Sequence, residues 1–163
     1  MIKEKELREF RPTIKYRDGK DITFQTIQVA LQGAANENGI SVAFHDDEIK
    51  FGGFFGGDVE PCLVLYHPEH ENDYFKFCIR LQHQGNYAFV TVYDFGSSTQ
   101  MGNAGSKDYL KDTLKNGDGW EIAGAIIGSG IRLLSKGTAN KKKLEEEEMW
   151  YSVISDIFEE TIS

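Results

Sequence analysis

The segment from Cys62 to Phe95 constrains this chain more than any other. Cys62-Leu63-Val64-Leu65-Tyr66 is apolar at every position, and Tyr74 to Gln84 alternates apolar and polar side chains. Tyr87 to Phe95 then returns after Gly85-Asn86, a dipeptide suited to a type II′ hairpin turn. If Gly85-Asn86 is the whole turn, Gln84 opposes Tyr87, Gln82 opposes Phe89, Arg80 opposes Thr91, Cys78 opposes Tyr93 and Lys76 meets Phe95. One face of this pair holds Phe77, Ile79, Leu81, Val90 and Val92 and reads as core. The other mixes aromatic rings with Lys76 and Arg80. A strand apolar at successive positions, like 62–66, turns both faces to dry surroundings, which one helix cannot supply. The expected fold class is therefore α+β. It has a mainly antiparallel sheet of about five strands, an N-terminal helix on one face and C-terminal helices packed over part of the other.

The remaining elements follow from turn and cap chemistry. Residues 1–12 read as a polar lead-in, and 13–163 as a single α+β domain. Thr13 to Tyr16 suits a short edge strand, and Arg17-Asp18-Gly19-Lys20 a turn. A helix is predicted from about Thr23 to Asn38, with Asp21 or Thr23 at its start and Gly39 at its stop. Ser41 to His45 and Glu48 to Phe51 sort into clean apolar and polar faces if Asp46-Asp47 is a hairpin turn. Three later helices are expected, over about 106–116, 120–136 and 144–162. The last has Trp150, Val153, Ile154, Ile157 and Phe158 at helical spacing, and Glu145 to Glu148 near its first turn.

A chain of 163 residues can bury a core without disulfides or metal, and its 40% hydrophobic content is that of a globular domain. Its two cysteines are too few for a secreted scaffold. The N-terminal residues lack the apolar run of a signal peptide, and Ile122 to Ile131 is too short to span a bilayer, so cytoplasm is the expected compartment. The net charge is −8. Residues 1–20 hold seven Lys/Arg against four Asp/Glu, leaving −11 on the rest. An acidic body argues against a duplex-DNA binder, which needs cations to displace counterions.

Five constellations merit weighing. Phe51-Gly52-Gly53-Phe54-Phe55-Gly56-Gly57 places two rings among four glycines. Phe54 and Phe55 either meet a partner or tuck into the core, and with no Lys, Ser or Thr following the glycines the loop is no phosphate cradle. His67, His70 and Asp73 have the chemistry of zinc ligands, yet Pro68 breaks their spacing and no cysteine pair supports them, so no metal is expected. Cys62 and Cys78 sit on neighbouring strands and read as small apolar fillers. Asp94-Phe95-Gly96 resembles the kinase tripeptide in letters only. The small-residue spacing of Gly124 and Gly128 fits a tight internal contact, or else a contact between two copies of the chain.

The mixed face of the Gly85 hairpin is the sharpest candidate, with Lys76, Arg80, Phe89 and Tyr93 beside the Phe54-Phe55 loop as binding residues. Such a surface can stack bases or grip an acidic peptide. No nucleophile–base pair or carboxylate pair can be assembled, and no cofactor is called for. The sequence therefore favours a non-enzymatic binding or assembly module with a protein or small-ligand partner. A small-molecule or metal-dependent enzyme comes second, and a single-stranded nucleic-acid binder third.

Overall fold

A computed structural model describes residues 1–53, 56–96 and 138–163. Six strands form one mixed sheet: β1 (Ile2–Lys3), β2 (Arg8–Tyr16), β3 (Ala43–Lys50), β4 (Val59–Tyr66), β5 (Lys76–Gln84) and β6 (Tyr87–Phe95). Their spatial order is β1-β3-β4-β5-β6-β2, antiparallel throughout except where β1 runs parallel to β3. Two helices, α1 (Phe24–Glu37) and α2 (Thr138–Thr161), complete the described fold, which is α+β. Among the described residues no helix is long and apolar enough to cross a membrane.

The Gly85-Asn86 hairpin adopts the expected register, from Gln84 opposite Tyr87 to Lys76 opposite Phe95. Gly85 has φ of +60° and Asn86 does not enter the left-handed region, as a type II′ turn requires. The Asp46-Asp47 turn, in contrast, does not exist. Ala43–Lys50 is one continuous strand, paired with β4 from Ala43–Tyr66 to Lys50–Val59. An edge strand tolerates adjacent acids because one flank is open to water, so polarity alone does not mark a turn. The actual β3–β4 connection is the glycine-rich loop, closed at its base by Phe51 N–H donating to the Asp58 carbonyl at 2.8 Å.

Residues 1–12 are not a lead-in. They supply β1, a single 3₁₀ turn at Glu4–Glu6 and the first half of the edge strand β2. Two irregularities in the β2–β6 register, between Glu9 and Arg11 and between Arg11 and Ile14, break the alternation that would have revealed the strand. They also allow Phe10, flanked by Glu9 and Arg11, to be fully buried.

The placement of helices also differs from expectation. Ile27, Leu31 and Ala35 of α1 and Leu144, Trp150, Tyr151, Ile154, Ile157 and Phe158 of α2 share one core with Leu63, Leu65, Phe77, Ile79, Val90 and Val92. Both described helices thus cover the same face. Leu63 and Val64 are nonetheless both buried, as a doubly dry strand demands. Val64 belongs to a second, smaller cluster on the opposite face with Ile2, Ile49, Cys62 and Cys78. Leu7 from the N-terminal segment packs against it. The expected helices at 106–116 and 120–136, and the Gly124–Gly128 spacing, lie outside the described residues.

α1 begins and ends as its caps dictate. Thr23 Oγ1 accepts from Thr26 N–H at 3.1 Å, and Thr26 Oγ1 accepts from Thr23 N–H at 2.9 Å. At the other end Gly39, with φ of +64°, donates to the Asn36 carbonyl while Ile40 N–H reaches that of Ala35. This is a Schellman stop. α2 starts earlier than its apolar spacing implied, so Lys141 to Lys143 are helical and Glu147 and Glu148 are buried in the helix body.

Candidate functional site

Strand alternation places Lys76, Cys78, Arg80 and Gln82 of β5, and Tyr87, Phe89, Thr91, Tyr93 and Phe95 of β6, on the face opposite the helices. Tyr87, Phe89, Tyr93, Phe95, Lys76 and Arg80 are all half-buried, and Lys15 of β2, opposite Phe89, is exposed. Lys15 Nζ lies 5.9 Å from the centre of the Tyr87 ring. The described structure therefore brings Lys76, Arg80, Phe89 and Tyr93 onto one surface. Phe54 and Phe55 lie outside the described residues.

Arg80 is committed to the protein itself. Its Nε donates to Glu60 Oε2 at 2.7 Å, and its guanidinium carbon lies 4.3 Å from the centre of the Phe51 ring. The Glu60 carboxylate, followed by the Tyr93 hydroxyl, holds its pKa above the ordinary arginine value. Arg80 thus pins β5 to β4 and the base of the glycine loop. The Thr13 and Thr91 hydroxyls bond at 2.8 Å. What remains for a ligand is the β6 row that runs from Tyr87 and Phe89, beside Lys15, to Phe95, opposite Lys76.

The three metal-ligand candidates do come together, but their atoms are used on one another. His67 Nδ1 accepts from Glu69 N–H at 3.1 Å, and His70 Nδ1 lies 3.3 Å from Asp73 Oδ1. Lys143 of α2 pairs with the second Asp73 oxygen. The His70 ring stacks on Tyr74 at 4.1 Å, and His67 lies edge-on to Tyr74 and tilted against Trp150. Burial lowers the His67 pKa, favouring the neutral ring. The cluster braces the β4–β5 loop against α2. Among the described residues no three His, Cys, Asp or Glu side chains are arranged to hold a metal ion.

Sequence reasoning missed a buried polar network. The Asp94 carboxylate accepts from Arg8 Nε at 3.0 Å and from the Tyr151 hydroxyl at 2.7 Å. Beside it, Glu147 Oε2 accepts from Phe75 N–H at 2.9 Å. These bonds join β2, β6, the β4–β5 loop and α2. Burial, then the Asp94 charge, pushes the Tyr151 hydroxyl well above its ordinary pKa, so it is a fixed donor. One signal was readable: Asp94 occupies an inward parity position after Val90 and Val92, where a lone acid needs a partner. The Cys62 and Cys78 thiols are buried and unbridged, and their mutual hydrogen bond and burial raise the Cys78 pKa, leaving an inert thiol.

Compared with protein-family models, with curated proteins and with solved structures, the chain matches none.

Proposed function

We propose that this domain is a non-enzymatic binding module whose working surface is the β5–β6 half of the sheet face opposite the helices. The observation that carries this reading is the row of half-buried Tyr87, Phe89, Tyr93 and Phe95 along β6, with Lys15 beside Tyr87 and Phe89 at one end and Lys76 opposite Phe95 at the other. Half-buried rings beside cations suit a ligand that combines negative charge with a flat apolar group, such as an acidic peptide bearing aromatic residues. The polar clusters elsewhere support a binding role over catalysis. Asp94, Asp73 and Arg80 are bonded to neighbours, which leaves none of them poised as a nucleophile or base. Two buried thiols in contact suit a reducing compartment, and cytoplasm is part of the same proposal.

Titration with a fluorescent peptide of alternating Glu and Phe tests the reading, with oligothymidylate as a second probe. Saturable peptide binding, lost when Lys76→Glu and Phe89→Ser are combined while the melting temperature holds, is the expected result. Absence of peptide binding overturns it. Tight oligothymidylate binding with a steep salt dependence replaces it with the nucleic-acid reading.

A further inference from the structure

The outer side of β3 carries an inference that goes beyond the sheet-face reading and does not rest on it. β1 pairs with β3 at Ile49 and Lys50 only. Among the described residues, Ala43 to Glu48 therefore has no strand on its outer flank. Such an edge leaves backbone N–H and C=O groups able to take up another strand. A groove of about 590 Å³ lies over the β3–β4 pair next to this edge, lined by Phe24, Asp46, Asp47, Glu48, Pro61 and Cys62.

The charge of this edge selects its occupant. Asp46 and Glu48 are exposed, share one face of β3 and form no ion pair among the described residues. Asp47 points to the other face and already holds a cation, the α-ammonium of Met1, 3.2 Å from Oδ1. Burial raises the Asp47 pKa, but the Glu48 N–H and that ammonium more than offset it and keep the carboxylate ionised. Pairing this edge with a second copy of itself would set acids against acids, which opposes self-association. A strand with Lys or Arg at alternate positions instead meets Asp46 and Glu48 on one side while its backbone completes the ladder.

We propose that the Ala43–Glu48 edge is a strand-addition site for an extended, Lys/Arg-bearing segment of a partner protein. The probe is a fluorescent, end-blocked peptide of about eight alternating Lys and Val residues, long enough to cover the edge. Three controls accompany it: one with Glu in place of Lys, and two N-methylated on either alternate set of amides. Anisotropy with the full chain should show saturable binding of the Lys peptide and none of the Glu peptide. Affinity should fall at least tenfold with one N-methylated set and change little with the other, because a strand bonds its neighbour along one side only. Combining Asp46→Asn with Glu48→Gln should weaken binding at least tenfold, and amide exchange across 43–48 should slow in the complex. Combining Lys76→Glu with Phe89→Ser should leave it unchanged, which separates this site from the sheet face. Equal binding by both N-methylated peptides, protection of β2 in place of β3, no binding at about 1 mM peptide, or unaltered affinity in the Asn/Gln variant would each overturn the proposal. So would a dimer of the free chain in which the 43–48 amides are already protected.

Discussion

Asp94 receives hydrogen bonds from Arg8 and Tyr151 at a position with no solvent exposure, so each donor offsets part of the carboxylate's desolvation. Replacing Tyr151 by Phe removes one donor and leaves the charge in place. The expected loss is about 1–3 kcal/mol of stability, measured by urea denaturation, with no change in fold. Glu148 behaves oppositely. It is buried, its Oε2 has no hydrogen-bond partner, and burial, then Glu147 and Glu145, push its pKa from 4.5 up to about 8. The folded protein therefore holds a proton there that the unfolded chain releases near pH 4.5. This contribution to stability is complete below that pH, declines as pH rises and is lost by about pH 8. Glu148→Gln should flatten that decline, so the variant gains on the parent most at the alkaline end. Parallel melts at both ends of the window measure it, and an unchanged slope would refute the assignment.

Among the elements, the glycine-bearing turns respond most sharply to single substitutions. A Cβ on Gly57 would meet the Phe51 carbonyl oxygen at 1.8 Å, so Gly57→Ala must open the base of the β3–β4 loop. Loss of exchange protection at Phe51, with the Gly85 hairpin undisturbed, is the expected readout. Gly39→Ala forces a left-handed alanine at the end of α1 and should cost about 1 kcal/mol. These turns also mark how far the sequence could be read. The Gly85 hairpin and α1 were legible because turn, cap and periodicity agree over one continuous stretch. β3 was misread as a hairpin because two acids in an edge strand look like a turn. β2 was read only from Thr13 because its register breaks hide the period. Of the candidate site, the Lys76–Phe95 face was legible from register alone. The commitment of Arg80 to Glu60 was not, since it depends on a neighbour twenty residues away in sequence.

At the scale of the molecule, α2 is the keystone of the larger core. It contributes Trp150, Tyr151, Ile154, Ile157 and Phe158, and Trp150 Nε1 donates to the Ser41 carbonyl at 3.0 Å. Arg11 of β2 donates to the Phe158 and Ile162 carbonyls, each at 2.6 Å, and so satisfies the end of the helix. Removing residues 138–163 strips one face of the sheet. The truncated chain should lose its cooperative thermal transition and bind a hydrophobic dye. A sharp transition in that protein would show that the sheet and α1 are sufficient. The pairing of β2 with β6 has a separate consequence, for the order of events during synthesis. Arg8 and Asp94 are 86 positions apart, and Phe10 packs on Phe77, Tyr151 and Phe158, so it leaves the ribosome long before its neighbours. At roughly 5–20 residues per second, that edge waits several seconds for its neighbour. Glu9 and Arg11, the charges on either side of Phe10, keep that stretch of the nascent chain polar until the partners of its ring have been made.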